Sequence, residues 1–571
     1  MKHETWNALV EDQRLEYNRP IMKTSIDRRQ FLTRTGLTLA VAATPSGLEV
    51  FAMGKADTES DLFRPTAWYT IAADNQITVF VCKSEMGQGI HTALSMIVAD
   101  ELEADWDQVH IEQAPVTEEY VDPVQGSQMT FGSTSIRNLY QPLRQAAAAG
   151  REMLVQAAAQ TWGVGADQCR ATQGRVYHRQ KGTSLSYGEL SRTASELALP
   201  ESPRLKEPSE FKLMGTSVPR RDIPAKVDGT ARFGIDTHAP EMLYGAVARP
   251  PAYGARIVSY DKSAAEAVPG VDWVGEIDRG IAVCADTPEN CWKAQDALNP
   301  QWDQGIQPDL STRSLDALFK ESLDQPGASA REDAGVPAAL AGAHKRVQVE
   351  YFLPYLAHAP MEPMNCAAHV RSDECDVWVP TQGQTQALHK TAQITGLDPA
   401  TITIHTPYLG GGFGRRVKTD FLEEAVALSK ATAKPVKVIW TREEDIQFCA
   451  FRPGNSHRIT GALDEQGRLI AWAHKVACPS ILATIMPRAP RVDGQAVRGI
   501  VDLQYDVPNV RVEYVRVQTP IPVHFWRSVG DSHNGFTVEN FMDEMAHAAG
   551  ADPVEFRLRH LQGNPRGYRT L

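Results

Sequence analysis

Residues 410–416 read Gly-Gly-Gly-Phe-Gly-Arg-Arg, with four glycines in five positions. Such a run cannot form the interior of a helix or a strand, because each glycine loses too much backbone freedom on ordering. The chain must therefore turn here. Upstream, Ile402–His405 has the β-branched alternation of a strand; downstream, Asp420–Ala431 has apolar residues at helical spacing. A strand, a glycine loop and a helix in that order turn backbone N–H groups toward whatever lies ahead of the helix, which suits an anion. Arg415 and Arg416 add positive charge to the expected cradle. The segment lacks the Gly-Lys-Ser/Thr of a P-loop, and Arg415 occupies the third glycine position of a dinucleotide fingerprint. Read alone, it is equally consistent with a generic turn.

A second turn of the same kind lies in Ser84-Glu85-Met86-Gly87-Gln88-Gly89-Ile90-His91-Thr92. Leu94, Ile97, Val98 and Leu102 follow it at helical spacing. Before it, Trp68–Val81 alternates like a hairpin turning at Asp74-Asn75. Gln382, in Pro-Thr-Gln-Gly-Gln, presents an amide either to a ligand or to solvent. Arg527 follows Phe525 and Trp526, where it either clamps an anion or stacks on Trp526. His91, His358, His369 and His524 show no metal-ligand spacing, and neither H-E-x-x-H nor G-x-S-x-G occurs. The eight cysteines include no C-x-x-C pair, so no iron–sulfur cluster, zinc ribbon or disulfide scaffold is expected; they read as buried small hydrophobes.

The 571 residues suggest roughly three to five domains. A net charge of −12 argues against duplex nucleic acid as a partner. No apolar run reaches the roughly 20 residues of a membrane helix. Residues 1–56 read as a leader: Ile-Asp-Arg-Arg-Gln-Phe-Leu at 26–32, then the apolar 37–43, resembles a twin-arginine export signal, although Asp27 and the long approach depart from the usual pattern. Periplasmic localisation follows as an expectation. Residues 60–205 form a first unit containing a helix over Ala146–Trp162, with a linker around Pro200–Pro208. Residues 215–300 form a second, 301–342 a polar connector with one amphipathic helix, and 345–571 a third. Near the end, Asp552-Pro553-Val554-Glu555 has the cap, proline and acid of a helix start.

Several of these segments together resemble the molybdenum-binding large subunit of the xanthine oxidase family. The resemblance rests on Glu85–Thr92 (E-M-G-Q-G-I-H-T), Met361–Ala367 (M-E-P-M-N-C-A), Thr381-Gln382 placed ahead of Gly410, and Phe525–Gly530 (F-W-R-S-V-G). Asp222–Gly245 resembles the family's small hammerhead domain. The G-Q-G-x-H-T segment precedes the hammerhead here, whereas the commoner family layout puts it after the Arg-Gly segment. This order, with the export signal, resembles isoquinoline 1-oxidoreductase large subunits and exported aldehyde dehydrogenases. The resemblance implies an α+β fold whose molybdenum-cofactor-binding domain comes in two chain segments with an inserted α/β hammerhead.

The resemblance also implies a cofactor, molybdopterin cytosine dinucleotide. Gln88, Gly89, His91, Thr92, Gly132, Ser133 and Thr134 would hold its pterin and phosphates. Gly411, Gly412, Phe413 and Gly414 would lie beside the molybdenum, with Gln382 near an oxo ligand and Arg527 at the substrate. The cofactor brings its own sulfur ligands, so no protein metal ligands are expected. The implied reaction oxidises an aldehyde or hydroxylates an aromatic N-heterocycle with oxygen from water. Electrons would leave through a small 2Fe–2S partner subunit, with a cytochrome c subunit as a further candidate. The family's catalytic glutamate sits in a C-terminal G-x-G-E-P-G-like segment, and no G-E-P occurs here, so this chain resembles a C-terminally truncated member. Glu101, Glu362 and Glu539 are not adopted as substitutes, since packing or helix-surface roles suit them better. A quinone-dependent aldehyde dehydrogenase subunit and an inactive cofactor-binding remnant stand as alternatives.

Overall fold

The computed structural model describes strands Ala40–Thr44 and Gly47–Phe51, and then residues 62–571 except 487. The Ile26–Leu32 export motif lies outside the described residues. No described helix is long and apolar enough to cross a membrane.

The first unit is built on a four-stranded sheet ordered Leu62–Thr66, Tyr69–Ala72, Ile77–Val81, Val109–Gln113. The hairpin turns at Asp74-Asn75 as expected, with Asn75 at φ 75°. The last two strands are parallel, and helix Ile90–Leu102 makes the crossover between them. This connection delivers the Glu85–Gly89 turn to the head of the helix.

The expected helix over Ala146–Trp162 in fact starts at Ser135 and carries Pro142 inside it. Proline removes one helical donor, so the sequence reads as a break; burial of Leu139, Leu143 and Ala146–Ala149 against the sheet holds the helix through it. At Gly150 an added Cβ would lie 1.8 Å from the Tyr69 hydroxyl, so the bare helix backbone there makes room for that side chain, which donates to the Ala146 carbonyl. The Pro200–Pro208 segment is not a free linker. Lys206 is buried and pairs with Asp100 at 2.6 Å, and Arg144 donates to the Lys206 carbonyl.

Beyond residue 215 the units interlock. A seven-stranded sheet runs Val271–Ile277, Gly280–Ala285, Leu243–Ala248, Val436–Ile439, Asn365–Val370, Cys375–Trp378, Ile402–His405. Leu243–Gly245 pairs in parallel with Val436–Val438, so one sheet crosses the expected boundary between 215–300 and 345–571. Helix Asp420–Thr432 packs on it through Phe421, Leu422, Ala425 and Val426. A separate five-stranded sheet joins Ala328–Glu332, from the expected connector, to Val510–Arg516, Leu469–Cys478, Asn455–Leu463 and Lys345–Leu353. Helix Gly530–Ala549 covers this sheet with Phe541, Met542 and Met545. Asp552 caps helix Pro553–Arg559 through the amides of Val554 and Glu555, as its sequence signature indicates. All eight cysteines are buried and unpaired.

Buried histidines give this fold a pH dependence. Asn455 Nδ2 donates to the Pro453 carbonyl, so its Oδ1 faces His457 Nε2 at 2.8 Å. His457 Nδ1 in turn lies 2.8 Å from His474 Nε2. Burial lowers the pKa of His358, His474 and His524 to about 3 and that of His533 to about 4. The unfolded chain therefore takes up protons first. Stability is unaffected above the ordinary imidazole pKa and falls below it, by about 1.4 kcal/mol per pH unit for each such histidine. Urea unfolding at pH 7, 6 and 5 should show a steep loss across the lower interval, and His533→Gln should flatten it. A profile level down to pH 5 would contradict these neutral imidazoles, because ion-paired carboxylates such as Asp222, lowered to about 2, act only at lower pH.

Candidate functional site

The Glu85–Gly89 turn is organised around a buried carboxylate. Glu85 Oε1 accepts from the amides of Gly87 at 2.9 Å and Gly89 at 3.0 Å, and its Oε2 accepts from His91 at 3.1 Å. These N–H groups are committed within the protein, so the turn is not the free anion cradle its glycines suggest. Gln88 also folds back: its Nε2 donates to the Ser84 carbonyl at 2.9 Å, and its Oε1 accepts from the Met86 amide at 2.8 Å. His91 is buried, with Nε2 at 3.1 Å from the Lys83 carbonyl, and burial lowers its pKa. Thr92 Oγ1 accepts from the Arg221 amide at 3.0 Å. Gln88, His91 and Thr92 thus shape the turn, while Gly87 and Gln88 lie at its exposed crest.

The 410–416 loop has the opposite character. Its ends are clamped, and at its middle Gly412 is buried while Phe413 is exposed. Glu362 Oε2 accepts from the Gly410 amide at 2.7 Å and from Arg416 at 3.0 Å, while its Oε1 accepts from Asn365 and the Ile235 amide. Arg415 forms a two-pronged pair with Asp420 at 2.8 and 3.0 Å. Both arginines are fully buried, which corrects their expected role as charges facing an anion. Burial alone would raise the Asp420 carboxyl, but Arg415 beside it holds it well below the usual carboxylate range. Between the clamps, the amides of Gly411, Gly412 and Phe413 have no acceptor among the described residues. Gly411, Phe413 and Gly414 take φ of 95°, 55° and 102°. Positive φ at a phenylalanine is uncommon, and such outliers cluster at ligand sites.

The two turns meet. The Leu409 amide donates to the Glu85 carbonyl at 3.0 Å. A Cβ on Gly412 would lie 3.0 Å from Met86 Sδ and 2.5 Å from Gln382 Oε1. Gln382 is the buried pin between segments. Its Oε1 accepts from the Gly414 amide at 2.9 Å, and its Nε2 donates to the Thr130 carbonyl at 2.9 Å. The Thr130 amide donates back to the Gln382 carbonyl at 2.8 Å. One step beyond Thr130, the Phe131 ring stacks on Phe525 at 6.2 Å between centroids. Exposed Gly132 and Ser133 then lead into the 28-residue helix at Ser135. Thr134 donates its hydroxyl to the Phe131 carbonyl and makes no cap, so the positive end of that helix has no side-chain acceptor.

Arg527 is exposed, with its guanidinium carbon 5.8 Å from the centroid of the Phe413 ring. Trp526 is faced instead by Arg452, at 5.8 Å. The chain after Arg527 is strained: Ser528 and Val529 have φ of 67° and 54°, an outlier for a β-branched residue. The structure thus joins Gln382 to Gly414 and to Thr130, just ahead of Gly132–Thr134, and sets Arg527 beside Phe413; it buries His91 and Thr92 and folds the exposed Gln88 side chain back onto its own turn. No described cluster of three or more His, Cys, Asp or Glu is placed to hold a metal ion. Glu101 is buried and accepts from Arg144 and Arg151, Glu362 is the loop clamp, and Glu539 pairs with Arg557 on the surface.

Sequence reasoning assigned no role to Glu85, Asp122 or the Glu362 clamp. Asp122 accepts from buried Lys83 at 2.6 Å, from Asn138 Nδ2 on both of its carboxylate oxygens, and from the amides of Val124 and Gln125. Glu85 and Glu362 stand inside the Glu85–Thr92 and Met361–Ala367 segments. For Glu85 the available signal was the pair of glycines that follows it; Glu362 has no such neighbour.

Comparison with known proteins fits this geometry. Molybdopterin cofactor-binding domain models match residues 13–236 and 323–561. The chain is 32% identical to isoquinoline 1-oxidoreductase subunit beta of Brevundimonas diminuta, over 95% of this chain and 76% of that protein. It is 32% identical to the membrane-bound aldehyde dehydrogenase (pyrroloquinoline-quinone) of Gluconacetobacter polyoxogenes, over 95% and 73% respectively. Among solved structures, quinoline 2-oxidoreductase from Pseudomonas putida 86 matches with a TM-score of 0.50 and 22% identity, over 60% of this chain. The match spans 50% of that solved chain and supports the fold.

Proposed function

Because the chain belongs to the molybdenum-binding large subunits of the xanthine oxidase family, we propose that it binds molybdopterin as the cytosine dinucleotide and oxidises an aldehyde or hydroxylates an aromatic N-heterocycle. One observation carries the reading: three consecutive amides, Gly411 to Phe413, stand without acceptors among the described residues, beside the buried Gln382 pin. The residues fit the group. Open amides and the uncapped start of helix Ser135–Trp162 suit an anionic pterin and its phosphates. When bound, the cofactor supplies the redox-active metal and its own sulfur ligands.

The remaining work belongs to the chain. Gly411–Phe413 donate hydrogen bonds toward the group, and Gln382 fixes the loop that presents them. Gly132–Thr134 would hold the group's phosphates through the uncapped start of helix Ser135–Trp162. Arg527, over the Phe413 ring, offers a guanidinium to the substrate's carbonyl oxygen or ring nitrogen. Phe413, 40% exposed, gives a planar substrate an apolar face. The chain has no paired cysteines to hold a cluster, so electrons leave through a small 2Fe–2S partner, with a cytochrome c subunit beyond it. Export through the Arg28-Arg29 signal puts the complex in the periplasm.

The test is elemental and pterin analysis of the full chain, purified with its small partner from the periplasmic fraction. Molybdenum and a cytidine-bearing pterin should co-purify, and growth on tungstate should abolish oxidation of aldehydes and N-heterocycles. Protein free of both, or activity that survives tungstate and depends on added quinone, would reject the reading in favour of the quinone-dependent alternative.

A further inference from the structure

The Glu85 carboxylate shapes its turn from within, and an arginine from a distant segment grips the same turn from outside. Arg220 Nη1 donates to the Gly87 carbonyl at 2.9 Å, and its Nη2 lies 3.4 Å from Glu85 Oε1. The side chain lies flat across Gly89. A Cβ there would sit 3.3 Å from Arg220 Nε and 3.5 Å from its Cδ and Cζ, at a φ of 78°. Gly89 therefore serves close approach as well as turning.

Arg220 is itself aimed. Its Nε donates to Asp222 Oδ1 at 3.0 Å and its Nη2 to Oδ2 at 2.5 Å, and Lys226 donates to the same carboxylate. Asp222 is buried; burial would raise its pKa, yet Arg220 and Lys226 lower it to about 2. The neighbouring Arg221 is anchored independently, through its amide on Thr92 and its guanidinium 4.5 Å from the Trp106 centroid. Farther along the same strap, the Arg232 carbonyl accepts from the Tyr408 amide at 3.1 Å. Tyr408 immediately precedes Leu409, whose amide donates to Glu85. Residues 220–232 thus span from one glycine turn to the approach of the other.

We propose that Arg220 is the positioning residue of the Gly87–Gly89 turn, fixing that turn and, through the strap, its distance from the Gly411–Phe413 loop. A forked guanidinium is needed, because one side chain must satisfy a carbonyl and a carboxylate in different directions. Arg220 is about one-third exposed, so substitution leaves the core intact.

The test is amide hydrogen exchange on the full metal-free chain. In Arg220→Gln, exchange at Gly87, Gly89 and His91 should speed by about ten-fold or more, the loss of one charge-assisted hydrogen bond. Helix Ser135–Trp162 should exchange as in the unsubstituted chain. Arg220→Lys, which keeps the charge and loses the fork, should give partial rescue. Wild-type exchange at those three amides in Arg220→Gln overturns the proposal; should that variant not fold, wild-type exchange in Arg220→Lys does so. A second readout, molybdenum loss on dialysis, should also quicken in both variants and rests on the functional reading above. Faster exchange in a protein that never held molybdenum would reject that reading and leave the positioning role standing.

Discussion

Gly414→Ala should yield a folded protein that retains no molybdenum. At Gly414 the backbone has a φ of 102°, and a Cβ would lie 2.2 Å from the Phe525 carbonyl oxygen and 2.9 Å from its carbon. Neither is the tip of a flexible side chain. The left-handed backbone alone costs roughly 1–2 kcal/mol for a residue with a Cβ. Relief of the clash requires Phe525 to move, and its carbonyl is held by His358 Nε2 at 2.8 Å while its ring stacks on Phe131. The displacement would also pull the Gly414 amide from Gln382 and carry Arg527 with it. A shift of this kind near the reacting centre costs on the order of 100-fold in rate, and the cofactor should not survive purification. Gly411→Ala is the informative contrast. There the Cβ would meet the Phe413 ring at 2.8 Å, and that ring can swing aside because it is partly exposed. Molybdenum content should be near zero in the first variant and reduced in the second; equal, normal contents would show that the Gly414–Phe525 contact does not set the site.

Lys83→Met should produce the largest loss of stability of any single polar-to-apolar change beside the two glycine turns. Lys83 and Asp122 are both fully buried and 2.6 Å apart. Lys83 also donates to the Met129 carbonyl at 2.8 Å and to Gln125 at 3.2 Å. Removing the cation leaves Asp122 charged and buried, with only Asn138 and two amides to compensate. Breaking one partner of a buried pair costs about 3–5 kcal/mol. Replacing both, as Lys83→Met with Asp122→Leu, should recover much of that, since the desolvation cost of the pair disappears with the charges. Denaturant unfolding of the single and double variants measures it. A single variant within about 1 kcal/mol of the parent, the ordinary range for surface pairs, would place Lys83 in contact with water.

The elements that sequence made legible are those whose signal is local. Period-two alternation marked the Tyr69–Val81 hairpin and Ile402–His405, and the Asp552 cap with Pro553 marked its helix. The glycine loop at 410–416 was legible because nothing else can be built from that composition. What failed depended on tertiary burial. Pro142 reads as a stop, but packing of the alanine-rich face carries the helix through it. Lys206 reads as solvated linker, but Asp100 takes it inside. The site was legible as motifs and opaque as bonding. Gln382, Gly411–Gly414 and Arg527 were found by resemblance and do meet. Yet no spacing reveals that Glu85 occupies the amides of its own turn, or that Arg415 and Arg416 face inward to Asp420 and Glu362. A carboxylate beside glycines reads equally as ligand and as brace until its partners are known.

The parallel pairing of Leu243–Gly245 with Val436–Val438 has a kinetic side. Strands about two hundred residues apart must find each other before the seven-stranded sheet can close, and such long loop closures slow folding and leave edges exposed meanwhile. The half made first on the ribosome cannot complete its sheet until most of the chain has emerged. Maturation should therefore be slow and temperature-sensitive, and strongly assisted by chaperones that shield the waiting edge of Leu243–Ala248.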